Sequence, residues 1–118
     1  MKYEAIDPMS REEVEAALFR DDPEELLRAV LALALHSEDD AWASSVCLRL
    51  ASHRHFNVRG NAILGFGHLA RPYRRLDPAA REIIEAGLRD PDPYVRGQSD
   101  DAADDAQQFL GWKITRPN

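Results

Sequence analysis

Apolar residues along this chain recur at three- and four-residue intervals, and no window sustains the alternation of a half-buried strand. The pattern predicts six helices, over residues 10–20, 22–36, 40–53, 57–71, 78–89 and 93–110. Most of the starts carry a cap. Ser10 followed by Glu13 has the spacing of a capping box, in which each side chain satisfies the other's free backbone amide. Asp22-Pro23, Asp77-Pro78 and Asp92-Pro93 each set a carboxylate before a proline, whose missing N–H is harmless in a first helical turn. Asp39 or Asp40 opens the third helix, and the fourth begins near Asn57. Leu26, Leu27, Val30, Leu31, Leu33 and Ala34 cover more than one side of the second helix, which is therefore expected to be the most buried. Trp42, Val46, Leu50 and Ala51 stripe the third helix, and Val58, Ala62, Gly65, Phe66 and Leu69 the fourth. On the sixth, Val95, Ala102, Ala106 and Phe109 are expected to face the core. Pro72 is expected to end the fourth helix, leaving residues 71–75 as the one longer loop.

A second regularity lies over the first. Val58-Arg59-Gly60 returns as Val95-Arg96-Gly97, 37 residues later, and at the same offset Val46 meets Ile83, Cys47 meets Ile84, Ala51 meets Leu88 and His55 meets Asp92. Six helices joined by short links make three hairpins. An ordinary six-helix bundle is one way to pack them, but a bundle has no reason to repeat a tripeptide in phase. A stack of hairpins does, because each must present equivalent residues to its neighbours. The expected fold is all-α, an α-α superhelix of three helix hairpins forming one domain over residues 1–118.

The segment Asp90-Pro91-Asp92-Pro93-Tyr94-Val95-Arg96-Gly97 resembles the inter-helix turn and second-helix start of a HEAT repeat, where D-x-x-x-V-R recurs. His53 to Gly65 resembles the same segment more fully, since Ala62, Leu64 and Gly65 match the family's small and apolar positions. The unit at Asp21-Asp22-Pro23 lacks a following Val-Arg, so the likeness covers residues 40–110 and reaches 10–36 only by analogy. The motif speaks to fold and hardly to function. In size and acidity the chain also resembles the small HEAT-like immunity proteins encoded beside bacterial contact-dependent growth-inhibition and polymorphic toxins. That resemblance implies a cytoplasmic protein that binds and neutralises one toxin.

Composition narrows the classes. Fifteen Lys and Arg against twenty-one Asp and Glu give a net charge of −6, which argues against nucleic acid as a partner. The apolar run from Ala29 to Leu35 is too short to span a bilayer, and the start, with Lys2 and Glu4, lacks a signal peptide's apolar run. Cytoplasm is the expected compartment, in keeping with a single cysteine that has no partner for an internal disulfide.

Catalytic chemistry is thin. His53 and His55, two apart at a helix end, point different ways, and with His36 and His68 they read as surface or capping residues rather than metal ligands. Cys47 falls opposite Ile84 in the repeat and reads as a buried hydrophobe. Gly65 and Gly67 sit inside a helix and form no phosphate loop. No catalytic residue, metal or cofactor is expected. Arg71, Arg74 and Arg75 are expected to be a solvated loop facing away from the acidic sixth helix.

From Asp90 to Asp105 the chain has six aspartates against one arginine, a costly choice for helix formation where glutamate or lysine would solvate as well. Plain solvation is one account of the run; a cationic partner is the other. Second helices line the concave side of such arrays, and the expected binding surface is Tyr94, Gln98, Asp100, Asp101, Asp104 and Asp105 with Asn61 and His68. Trp112 either caps the end of the array or anchors a partner. The partner expected is a protein, a basic toxin domain of nuclease type, met by a monomer in a 1:1 complex, with neither nucleic acid nor membrane involved. A general helical-repeat scaffold, or a lyase-type HEAT protein acting on another polypeptide, is the alternative.

Overall fold

Caps fix the helix boundaries in the computed structural model, which describes residues 6–117; Lys2 and Glu4 lie outside them. The helices are α1 (Arg11–Arg20), α2 (Pro23–His36), α3 (Asp40–Leu50), α4 (Phe56–Tyr73), α5 (Ala79–Gly87) and α6 (Pro93–Leu110), with no strand among the described residues. Ser10 Oγ accepts the Glu13 N–H at 3.1 Å while the Ser10 N–H donates to Glu13 Oε1 at 2.9 Å, closing the capping box. Asp22, Asp39 and Asp92 accept backbone N–H groups of Glu25, Trp42 and Tyr94. Such a cap stabilises a helix by about 1 kcal/mol.

Three boundaries differ from expectation. α4 runs through Pro72 to Tyr73, because a proline in a final turn forfeits a single bond. Arg74 then takes the left-handed conformation (φ 56°) and its N–H bonds Ala70 O at 3.0 Å. α3 stops at Leu50, and His53 begins a turn instead, its Nδ1 accepting the His55 N–H at 3.0 Å. α5 gives way after Gly87 to a tighter turn in which Arg89 and Asp90 bond back three residues, to Ala86 and Gly87.

The helices pair in sequence, α1 with α2, α3 with α4 and α5 with α6, and the second helices α2, α4 and α6 lie side by side. α4 sits at the centre, touching α2, α3, α5 and α6, and it rather than α2 is the most buried element. Phe66, Ile63, Leu69 and Val58 of α4 meet Leu26 and Val30 of α2, Cys47 of α3, Ile84 of α5 and Val95 of α6 in one core. The repeat register survives in three dimensions. Val58 and Val95 are both fully buried, and His55 and Asp92 both cap their helices. Asn61 and Gln98, 37 apart, hydrogen-bond each other. Ion pairs tie successive hairpins: Asp21 meets His53 and Arg54, and Asp90 meets Arg59. No helix among the described residues is long and apolar enough to cross a membrane.

Candidate partner-binding surface

The seam between α4 and α6 gathers most of the residues singled out from sequence, in two groups. At its start Tyr94 lays its ring over Gly60, where a Cβ would come within 3.1 Å of the ring carbons. Asn61 Nδ2 donates to Tyr94 Oη at 2.8 Å and to Asn57 O at 2.8 Å; Gln98 Nε2 donates to Asn61 Oδ1 and to Tyr94 Oη, both at 3.1 Å. Tyr94 accepts twice and keeps its hydroxyl proton for another acceptor. Phe56 packs edge-on against Tyr94 with ring centres 5.7 Å apart, and both remain about two-fifths exposed. Phe56 escaped the sequence reading because it falls at the first position of α4, outside the helix as expected from Asn57.

Farther along the seam the expectation fails. Asp105 is buried, not exposed: its carboxylate lies against Gly67 and accepts from Arg71 Nη2 at 3.1 Å and Nε at 3.2 Å. Gly67 has no side chain to fill the space, so the aspartate can, and Arg71 supplies the charge it needs there. The basic group is therefore not a solvated loop turned away from α6. Arg74 sits over the Phe109 ring at 4.8 Å, Arg71 over the same ring at 5.8 Å, and Arg75 forks onto Asp40 at 2.8 and 2.9 Å. Phe109 is half-buried at this edge rather than in the core, and Ser99 and Ala103 take the inner positions on α6. His68 is half-buried beside the pair; burial first, then the Arg71 charge, holds its pKa below the ordinary histidine range, against an opposing pull from Asp105.

The remaining aspartates point outward. Asp100, Asp101 and Asp104 bring carboxylate oxygens within 4.8 Å of one another, all exposed on a single helix. Arg116 of the C-terminal segment reaches back to Asp100, to Asp104 Oδ1 at 2.8 Å and to Gln107 Oε1 at 2.8 Å. Asp101 is exposed and makes no ion pair among the described residues. Trp112 is half-buried and packs on the core with Ile114, its N–H bonded to Ala106 O at 3.3 Å.

Groups with chemical potential elsewhere are committed to structure. Cys47 is fully buried and its thiol pKa is pushed up to about 12 by that burial. His36 Nε2 donates to Ile6 O at 2.6 Å. His53 accepts on Nδ1, which leaves its proton on Nε2 to donate to Asp21 at 2.7 Å. His55 Nδ1 accepts the Asn57 N–H at 3.3 Å as the α4 cap.

No family model and no curated relative matches the chain. Among solved structures, the chain is similar to one chain of the crystal structure of a CDI complex from Cupriavidus taiwanensis LMG 19424. The two share 29% sequence identity and superpose with a TM-score of 0.79 over 92% of this chain and 97% of that one. The shared all-α fold thus extends over nearly the whole of both chains.

Proposed function

We propose that this protein is an immunity protein of the contact-dependent growth-inhibition type, which binds a cognate toxin one-to-one and neutralises it by covering its active site. The observation that carries this reading is the end-to-end correspondence, at 29% identity, with a chain of a CDI complex. Neutralisation proceeds by occupation, without catalysis by this chain and without metal or cofactor. In support, Cys47 is sealed in the core, and His36, His53 and His55 each hold a backbone or carboxylate group in place. The toxin is a basic nuclease domain. An enzyme that must attract phosphate presents cationic groups, and a −6 chain with outward aspartates on its last long helix is matched to them in sign. Binding takes place in the cytoplasm, where a delivered toxin acts.

The test is co-expression with a candidate toxin domain, sought in the gene next to this one. The expected result is rescue of growth and a 1:1 complex by calorimetry. Neither rescue nor complex would sink the reading in favour of a general helical-repeat scaffold.

A further inference from the structure

We infer that the toxin docks on the outward face of α6, along Gly97, Asp101, Asp104 and Gln108, with a basic helix of the toxin covering it as the next hairpin covers the matching face of α4. This rests on the proposed toxin-binding function but specifies a surface that function alone does not require.

The repeat makes the surface readable. Each residue of α4 corresponds to the one 37 later on α6, so Gly60, Ile63, Gly67 and Arg71 match Gly97, Asp100, Asp104 and Gln108. On α4 these positions form a stacking face that the next hairpin covers. A Cβ on Gly60 would press on Tyr94 at 3.1 Å, and one on Gly67 would press on the backbone of Ala102 at 3.3 Å. Ile63 is 2% exposed and faces Gly87 of α5. The same face on α6 is open. A Cβ on Gly97 would meet nothing within 4 Å among the described residues, and Asp100, Asp101, Asp104 and Gln108 are all exposed.

One edge of this face already has an occupant, and its chemistry is informative. Asp100 and Gln107 correspond to Ile63 and Ala70, and they are held with Asp104 by Arg116 of the non-helical C-terminal segment. A guanidinium carried on a crossing segment is what this rim accepts. The adjoining strip over Gly97 and Asp101 has no such cover, and Gly97 lets an incoming side chain reach the helix backbone as Tyr94 does at Gly60. Charge selects the visitor. A second copy of this chain would bring another −6, whereas a helix carrying lysine or arginine would place cations on Asp101 and Asp104.

Two variants at Gly97 test the placement against the toxin domain used in that co-expression. Gly97→Trp fills empty space and should leave helical content and the thermal midpoint at or above the parent's, while weakening the complex about 100-fold. Gly97→Cys supplies a reactive thiol beside the sealed Cys47; a maleimide dye should modify it in the free protein and be blocked in the complex. Phe19→Cys, at a site 90% exposed on α1, should label equally in both states. Parent-like affinity of Gly97→Trp, or free labelling of Gly97→Cys in a formed complex, overturns this surface and leaves the immunity function standing. Failure of the unmodified chain to bind overturns both.

Discussion

Arg59 and Arg96 make the same two hydrogen bonds one repeat apart. Arg59 Nη1 donates to His53 O and Arg54 O at 3.0 and 3.3 Å; Arg96 Nη1 donates to Asp90 O and Pro91 O at 2.8 and 3.0 Å. Each arginine thereby closes the turn that leads into its own helix, which gives the repeated Val-Arg a physical purpose. Only Arg59 does more: its Nε and Nη2 also fork onto the Asp90 carboxylate of the following hairpin at 2.8 and 2.9 Å. Arg96 makes no such fork among the described residues and stays exposed.

The two arginines should therefore differ in what their loss costs. Arg59→Ala strands the largely buried Asp90 carboxylate and should destabilise the fold by roughly 2–3 kcal/mol. Arg96→Ala should cost less than about 1 kcal/mol, as for other exposed polar contacts. Urea unfolding at neutral pH measures both, and equal losses would show that the inter-hairpin fork adds nothing.

Acid should attack the same fork. The Arg59 hydrogen bonds, followed by the Asp92 N–H, hold the Asp90 carboxyl below the usual aspartate range, outweighing the opposite effect of burial. A carboxyl depressed on folding contributes stability that is fully present above its unfolded pKa and is lost as pH falls through the folded value. Stability should thus be flat down to about pH 5 and decline below about pH 4. Asp90→Asn should be less stable at neutrality and show a shallower acid decline. The slope should not vanish, because Asp21 and Asp40 are lowered in the same direction by Arg54 with His53 and by Arg75. An unchanged acid slope in Asp90→Asn would rule this role out.

Neighbouring aspartates on α6 should respond oppositely to charge reversal. Asp101→Lys changes an exposed side chain and should shift stability by less than about 0.5 kcal/mol. Asp105→Lys puts a cation into the buried space over Gly67 beside Arg71, and should cost roughly 3 kcal/mol or more. Thermal melts of the two single variants are sufficient to compare them; a harmless Asp105→Lys would mean that the seam relaxes freely.

Cys47 should be inert until the chain opens. With its thiol buried and its pKa near 12, Ellman's reagent should find essentially no thiolate in the native protein and one thiol per chain in denaturant. Rapid native labelling would place the cysteine on an opening far easier than global unfolding.

Local features of this fold were legible in the sequence, and features made between helices were not. Ser10, Asp22, Asp39 and Asp92 announced their helices because a cap is an agreement among residues two or three apart. The 37-residue period announced the stack for a similar reason. On α6, by contrast, polarity put Asp105 outside and Phe109 inside, and both assignments failed. The two lie one turn apart on the same margin of the helix, where the decision rests with the neighbour. Gly67 left room for a carboxylate, Arg71 neutralised it, and Arg74 with Arg71 gave the phenylalanine a cationic shelter at the rim. Arg116 could not have been assigned to Asp100 and Asp104 from spacing, since its segment has no periodic structure to fix its path.

The central position of α4 sets an order of events in time. Every other element but α1 leans on it, most extensively α6, whereas the α1 backbone comes close to that of α2 alone, so fraying of α1 leaves the core packed and the departure of α4 takes it apart. Amide protons of α4 should be the slowest to exchange with solvent, with protection graded outward toward α1. Seen this way, the molecule is a nucleus of α4 and α6 with a detachable flank at α1, so the helix that carries the open face stays anchored while the far end breathes.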